Sequence, residues 1–469
     1  MATTHIPSKT QAEFEIRFIW WALGIAIFGG FALGAHVVSV IGFDFPLGKG
    51  FSSYIQIHGH VQFVGWAGLL ILGISLHFLP RLAGLPIKNP QRPATILRLI
   101  VSGLIIRFVG HSFLPYLTKS ALLTPVSILV TLSGLLEWLG IVFYIITVYQ
   151  TTHGAQGVDK QPALHSIKPF MMIMLMGWFL YATFNIALLV NMTAGKNVIL
   201  NPSWNEFAVQ LFFHFVLLPV TFAFSIRMFP LFLRLPAIDW PVRRFAFSYI
   251  LAITLQLLPN LPPIAAVISN VPFYVSGVGL IAKGSAILWF VWKLDLFTRR
   301  RPPWTIHRVL EPGPERKPTR AGLPDYGEFG RFERLIYSAY AWLLLGAVLD
   351  ILSGLAILLD WTVPISSDAI RHTYLLGFVT QLILGMAVRM IPGFLRKKRV
   401  AVPELVEVTF WLANVAAVSR VVPLILPLAL YELLPGIEII TQSFLGFSGI
   451  FGLAAVVCLT INLKKTANN

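Results

Sequence analysis

Twelve apolar stretches of bilayer length limit what this chain can fold into more than any other feature. They run at 17–42, 54–79, 93–115, 123–149, 168–193, 207–231, 243–262, 270–296, 333–359, 367–393, 404–430 and 438–463. A helix crosses the hydrocarbon with about 20 such residues, and backbone amides have no water to bond inside it. The expected fold class is therefore all-α: a polytopic membrane helix bundle with twelve transmembrane helices. The first stretch is too long for a signal-peptide core and reads as a retained helix. With 56% hydrophobic and only 12% charged residues, the chain cannot cover itself as a soluble domain would.

The net charge of +16 invites comparison with nucleic-acid binders. Its distribution argues for membrane topology instead. Lys and Arg gather after the second segment (Arg81, Lys88, Arg92), the sixth (Arg234, Arg243, Arg244) and the eighth (Arg299, Arg300, Arg301, Arg308, Arg316, Lys317, Arg320). They gather again after the tenth (Arg396, Lys397, Lys398, Arg399) and at the C-terminus (Lys464, Lys465). The alternate loops hold Lys49, Lys119 and Lys196, then no basic residue after the seventh, ninth and eleventh. Cytoplasmic loops carry such an excess. The expectation is a bacterial inner membrane protein with both termini cytoplasmic, lipid as its main surroundings and no nucleic-acid partner. Cys458 is the single cysteine, so neither an intramolecular disulfide nor a cysteine metal site is open to the chain. Residues 298–330, rich in Arg and Pro, read as a cytoplasmic linker.

An internal repeat organises the segments. The second ends HFLPRL, the sixth RMFPLFLR and the tenth RMIPGFLR, which aligns Pro80, Pro230 and Pro392 and, three residues earlier, His77, Arg227 and Arg389. Arg107, Gln256 and Arg420 follow their prolines by 26 to 28 residues. The single membrane domain 1–469 thus divides into three four-helix sets, 17–150, 168–297 and 331–465.

Placed by depth, six histidines on five segments fall in the outer third of the membrane: His36, His58, His60, His111, His214 and His372. His77 lies near the inner face, about 26 Å from His60 at helical rise. His5, His153, His165 and His307 sit in polar stretches and carry no signal. Polar groups inside a membrane face the bundle interior and mark function, and imidazole is a common metal and haem-iron ligand. His60 and His372 each precede their proline by 20 residues, so they are equivalent. Two such imidazoles on facing helices could supply both axial ligands of a haem. His58, about 200° around the helix from His60, is a candidate copper ligand, hydrogen-bond partner or interfacial residue. His214 and His111 are candidates for a second metal site.

Arg107 and Arg420 are repeat-equivalent, and Arg371 adjoins His372. All three suit the acid groups of a haem through forked hydrogen bonds. Glu137 and Asp350 offer alternative partners. Lys283, near the midplane of the eighth segment, reads as part of a proton path or as the partner of a carboxylate.

The segment pattern resembles subunit I of the haem–copper oxidases, in which the second and tenth helices hold the low-spin haem. The wording of RHTYLLGFVTQLILGMAVRMIPGFL and HGHVQFVGW is similar to that of the NnrS family of haem- and copper-containing membrane proteins. That resemblance implies haem b, copper, and a role in the response to nitric oxide or nitrosative stress, with a small gaseous ligand. The chain departs from the oxidases at three points. The tenth segment has only His372 where they carry H-x-H, the seventh lacks their adjacent histidine pair, and His214 is followed by Leu217 and Leu218 in place of a tyrosine one turn on. A three-histidine copper centre is not supported. Two further readings stand: an oxidase-like reductase subunit, and a twelve-helix secondary transporter, although carriers of that size usually divide into two six-helix halves.

Overall fold

The computed structural model describes residues 15–153, 162–267, 271–302, 327–362 and 365–469. Most of the 298–330 linker, His307 and His5 lie outside the described residues. Among these residues, eleven helices are long and apolar enough to span a bilayer. In chain order they are α1 (Arg17–Gly42), α2 (Phe51–Ala83), α3 (Arg92–Tyr116), α4 (Leu123–His153), α5 (Leu164–Ala194) and α6 (Pro202–Phe232). Then come α8 (Phe273–Leu294), α9 (Phe332–Leu358), α10 (Ser367–Phe394), α11 (Glu404–Leu424) and α12 (Ile437–Asn468). The seventh expected segment forms a shorter helix, α7 (Val242–Leu257). Arg243 and Arg244 begin it, and the turn Leu258–Asn260, carrying Pro259, closes it. Proline lacks an amide hydrogen and clashes with the preceding turn, so the helix stops there.

Three helices form the centre. In the most apolar window of α2, α6 and α10, 72%, 67% and 78% of residues are buried, against 39–44% in the other spans. The outer helices pack in chain order around them, α3 on α4, α8 on α9 and α11 on α12, and α12 returns to α1. Glycine notches let the layers interlock. Trp178 of α5 enters the notch at Gly68 of α2, and Trp342 of α9 enters that at Gly377 of α10. Such interlocking matters in lipid, where packing replaces the hydrophobic effect between helices.

The three central helices share a second feature. Wide π turns occupy Val61–Gly68, Phe213–Leu217 and Thr373–Thr380. The first and third begin 19 residues before Pro80 and Pro392, and the middle one 17 before Pro230. A fourth π turn, Ala26–Phe31, lies in α1. Such turns are rare and concentrate at functional sites.

Beyond α8, Asp295 adopts the left-handed conformation at φ 60°. Burial opposes ionisation of its carboxyl, but hydrogen bonds from the Thr298 hydroxyl and the Arg301 and Arg300 backbone outweigh it and hold the pKa at about 2. Arg301 also reaches Asp239 at 2.5 Å and the Lys293 carbonyl at 2.6 Å, tying the end of α8 to the loop before α7.

Two stability predictions follow from these contacts. A side chain at Gly42 would meet the backbone of Gly446 at 2.4 Å, so Gly42→Val should force α1 from α12 and cost about 1–3 kcal/mol, read as a lower thermal midpoint in detergent. Because the Asp295 pKa is depressed, its contribution is complete above the ordinary 3.8 and is lost as pH falls toward about 2. Asp295→Asn should therefore lower the midpoint at pH 7 and leave it nearly unchanged near pH 2.

Candidate functional site

A cavity of about 530 Å³ opens between α1, α2, α3, α5, α6, α10, α11 and α12, at the end of the bundle away from the basic loops. That volume lies within the roughly 300–1,000 Å³ of ligand pockets. Its walls carry His58, His60, His372, Arg107, Arg371 and Arg420 together. The loop before α6 roofs it. Gln56 pins that loop by donating to the Leu200 carbonyl at 2.8 Å and accepting from the Leu200 amide at 2.9 Å. A smaller apolar cavity of about 150 Å³ lies nearer the basic end and meets the first at Ala67; none of the histidines line it.

The three imidazoles on this wall are not held alike. His372 Nδ1 lies 2.9 Å from the Asp368 carbonyl, one turn back, and 3.1 Å from the Asp368 carboxylate. His58 Nδ1 lies 2.9 Å from the carbonyl of Gly30. Gly30 belongs to the π turn of α1. A carbonyl can only accept, so in both residues the hydrogen sits on Nδ1 and the Nε2 lone pair is free to bind. His58 also packs against Gly34, where any Cβ would overlap its ring at 2.4 Å. It stands within electrostatic reach of His372, Arg420 and Asp368.

His60 is engaged at both nitrogens. Nδ1 is 3.0 Å from the Tyr181 hydroxyl of α5, and Nε2 is 2.9 Å from a Glu137 carboxylate oxygen of α4. The second contact has ion-pair distance but poor alignment, and Nε2 has no hydrogen-bond partner of good geometry. His111 joins this group. It accepts at Nδ1 from Arg107 at 3.3 Å, while one terminal nitrogen of Arg107 is buried without a hydrogen-bond partner.

The arginines meet acids as well as the cavity. Arg420 donates to Asp368 at 2.6 Å, and Arg371 donates to both oxygens of Glu206 at 2.8 Å. Arg371 Nε remains buried and unpaired. Asp368, Glu206 and Tyr181 were not singled out from the sequence. Asp368 had a signal, since it lies four residues before His372 and so on the same helix face; Tyr181 had none.

His214 and His111 share no partner; α6 carries His214 into a separate cluster. There Lys283 Nζ of α8 lies 3.0 Å from His214 Nε2 and 3.0 Å from Asp350 Oδ2 of α9. The Tyr374 hydroxyl of α10 donates to the same Asp350 oxygen. Of the two sequence readings of Lys283, the carboxylate partner is present. His36 stands edge-on to Tyr54, and His77 packs edge-on against Phe394 at the basic end. Among the described residues, no group of three or more His, Cys, Asp or Glu has the spacing to hold a metal ion.

The buried Lys283–Asp350 pair should behave as a unit. Lys283→Met or Asp350→Asn alone leaves an uncompensated charge and should each cost about 3–5 kcal/mol. The double variant should recover most of that loss, as a double-mutant cycle of unfolding midpoints will show.

No protein-family model and no curated protein matches the sequence. Among solved structures, a chain of a heme–copper terminal oxidase dimer superimposes with a TM-score of 0.63 at 14% identity, covering 97% of this chain and 83% of that one. The chain is thus a polytopic helical membrane protein with the fold of that oxidase.

Proposed function

We propose that the chain is a haem-b-binding protein of the bacterial inner membrane. In this reading its role is that of the NnrS family, in electron transfer or the response to nitric oxide, with its termini on the cytoplasmic side. One observation carries the reading: His58 and His372 each place the hydrogen on Nδ1 against a backbone carbonyl, which leaves Nε2 with a lone pair, and both residues line one cavity. Metal-binding histidines are oriented in this way. The cavity also suits the group's acids, because the half-satisfied Arg107 and Arg371 lie on its wall beside Arg420. The geometry favours His58 over His60 as the partner of His372, since both His60 nitrogens already face side chains.

The haem would supply one-electron exchange at iron. His58 and His372 would hold it, and the residues around them would bind and orient it. Asp368 fixes the tautomer of His372, and Gly30 that of His58. Arg371, Arg420 and Arg107 would neutralise its acid groups.

The test is a reduced-minus-oxidised optical spectrum of the detergent-purified protein. A b-type signal is expected in the wild type and in His60→Ala, and its loss in His58→Ala and His372→Ala. A signal lost with His60 but kept without His58 would return the role to His60. Absence of haem with unchanged thermal stability in all three variants would favour a transporter.

A further inference from the structure

The second buried cluster has the make-up of a cation site, and a cation of the chain's own fills it. Lys283 Nζ is 3.0 Å from His214 Nε2 and 3.0 Å from Asp350 Oδ2. His214 Nδ1 is 2.8 Å from the Gln210 carbonyl, which puts its hydrogen on Nδ1 and leaves the Nε2 lone pair facing the ammonium. This is the arrangement found at His58 and His372, with a lysine in place of open space. The second carboxylate oxygen, Asp350 Oδ1, is buried without any partner, in a residue with no exposed surface. Tyr374 donates to Oδ2, and its ring lies under Nζ at 5.4 Å to the centroid. The four side chains come from α6, α8, α9 and α10.

An oriented imidazole nitrogen and a carboxylate with a free oxygen are the donors that zinc and similar divalent ions take. We propose that the Lys283 ammonium is a tethered substitute for a metal ion, occupying a latent divalent-cation site formed by His214 and Asp350. The donor distances of 3.0 Å suit a hydrogen-bonded ammonium. Zinc binds nitrogen and oxygen at about 2.0–2.2 Å, so His214 and Asp350 must close by roughly 1 Å around it. Removing the four-carbon stem leaves space for water at the remaining positions. The charge balance explains the substitution: with Asp350 ionised, one ammonium makes the cluster neutral, and neutral clusters are the ones tolerated in lipid.

The test needs no haem. Wild type, Lys283→Ala, His214→Ala and the Lys283→Ala/His214→Ala double variant are stripped with chelator in detergent and titrated with Zn²⁺. Bound metal and thermal midpoint are then read. Lys283→Ala should bind one equivalent more than wild type and regain much of its lost thermal midpoint on zinc addition. The double variant should do neither. Wild type and His214→Ala should bind equally. A monodisperse Lys283→Ala that takes no extra zinc overturns the proposal. Should that variant fail to fold, the wild type still decides: an equivalent of zinc that His214→Ala abolishes would show a site open beside the lysine and overturn it, whereas equal binding supports it.

Discussion

An imidazole carried into hydrocarbon needs a partner that holds its ring, and this requirement organises the histidine-bearing half of the bundle. Unpaired polar groups are costly there. On α6 and α10 the histidine turns Nδ1 back to the carbonyl one turn earlier, at His214–Gln210 and His372–Asp368. On α2 the pair at 58 and 60 divides the task, His58 reaching α1 and His60 reaching α4 and α5. Each central helix therefore has one nitrogen committed to holding a ring still and another left for a function.

The three solutions differ in what meets the second nitrogen. Beside His372 and His58 there is a cavity with arginines on its wall. Beside His214 there is an ammonium, itself neutralised by Asp350. Beside His60 there is Glu137, badly aligned, in a neighbourhood that also leaves one Arg107 nitrogen without a partner. The framework thus presents one open chamber, lined by His58, His60 and His372, and one cluster at His214 that a lysine fills. The likeness to a heme–copper terminal oxidase at 14% identity describes the framework; the contents of the chambers belong to this chain's own residues.

The π turns connect framework and contents. In α2 and α10 they begin immediately after His60 and His372, and in α6 the turn contains His214. Widening a helix by one residue per turn changes the direction of every side chain that follows. Tyr374 lies in such a turn and thereby reaches Asp350 on α9, while His372 just before it faces the cavity. One short stretch of α10 thus serves two chambers.

The all-α class and the multi-pass membrane architecture were legible in the sequence, with eleven helices of spanning length among the described residues where twelve were expected. Both rest on quantities that add along the chain: a helix rises 1.5 Å per residue, so depth tolerates an error of a residue or two. The shortness of α7 was less legible, because hydropathy does not register where Pro259 ends a helix. Direction around the axis is another matter. It turns by about 100° per residue, so a single wide turn redirects a side chain, and the sequence does not mark where such turns fall. The alignment of His60 with His372 spoke only of depth along the helix and was silent about facing. Only the packed bundle turned His60 toward Glu137 and Tyr181, brought His58 onto the wall it shares with His372, and set Lys283 between His214 and Asp350, because those directions depend on neighbours far apart in the chain.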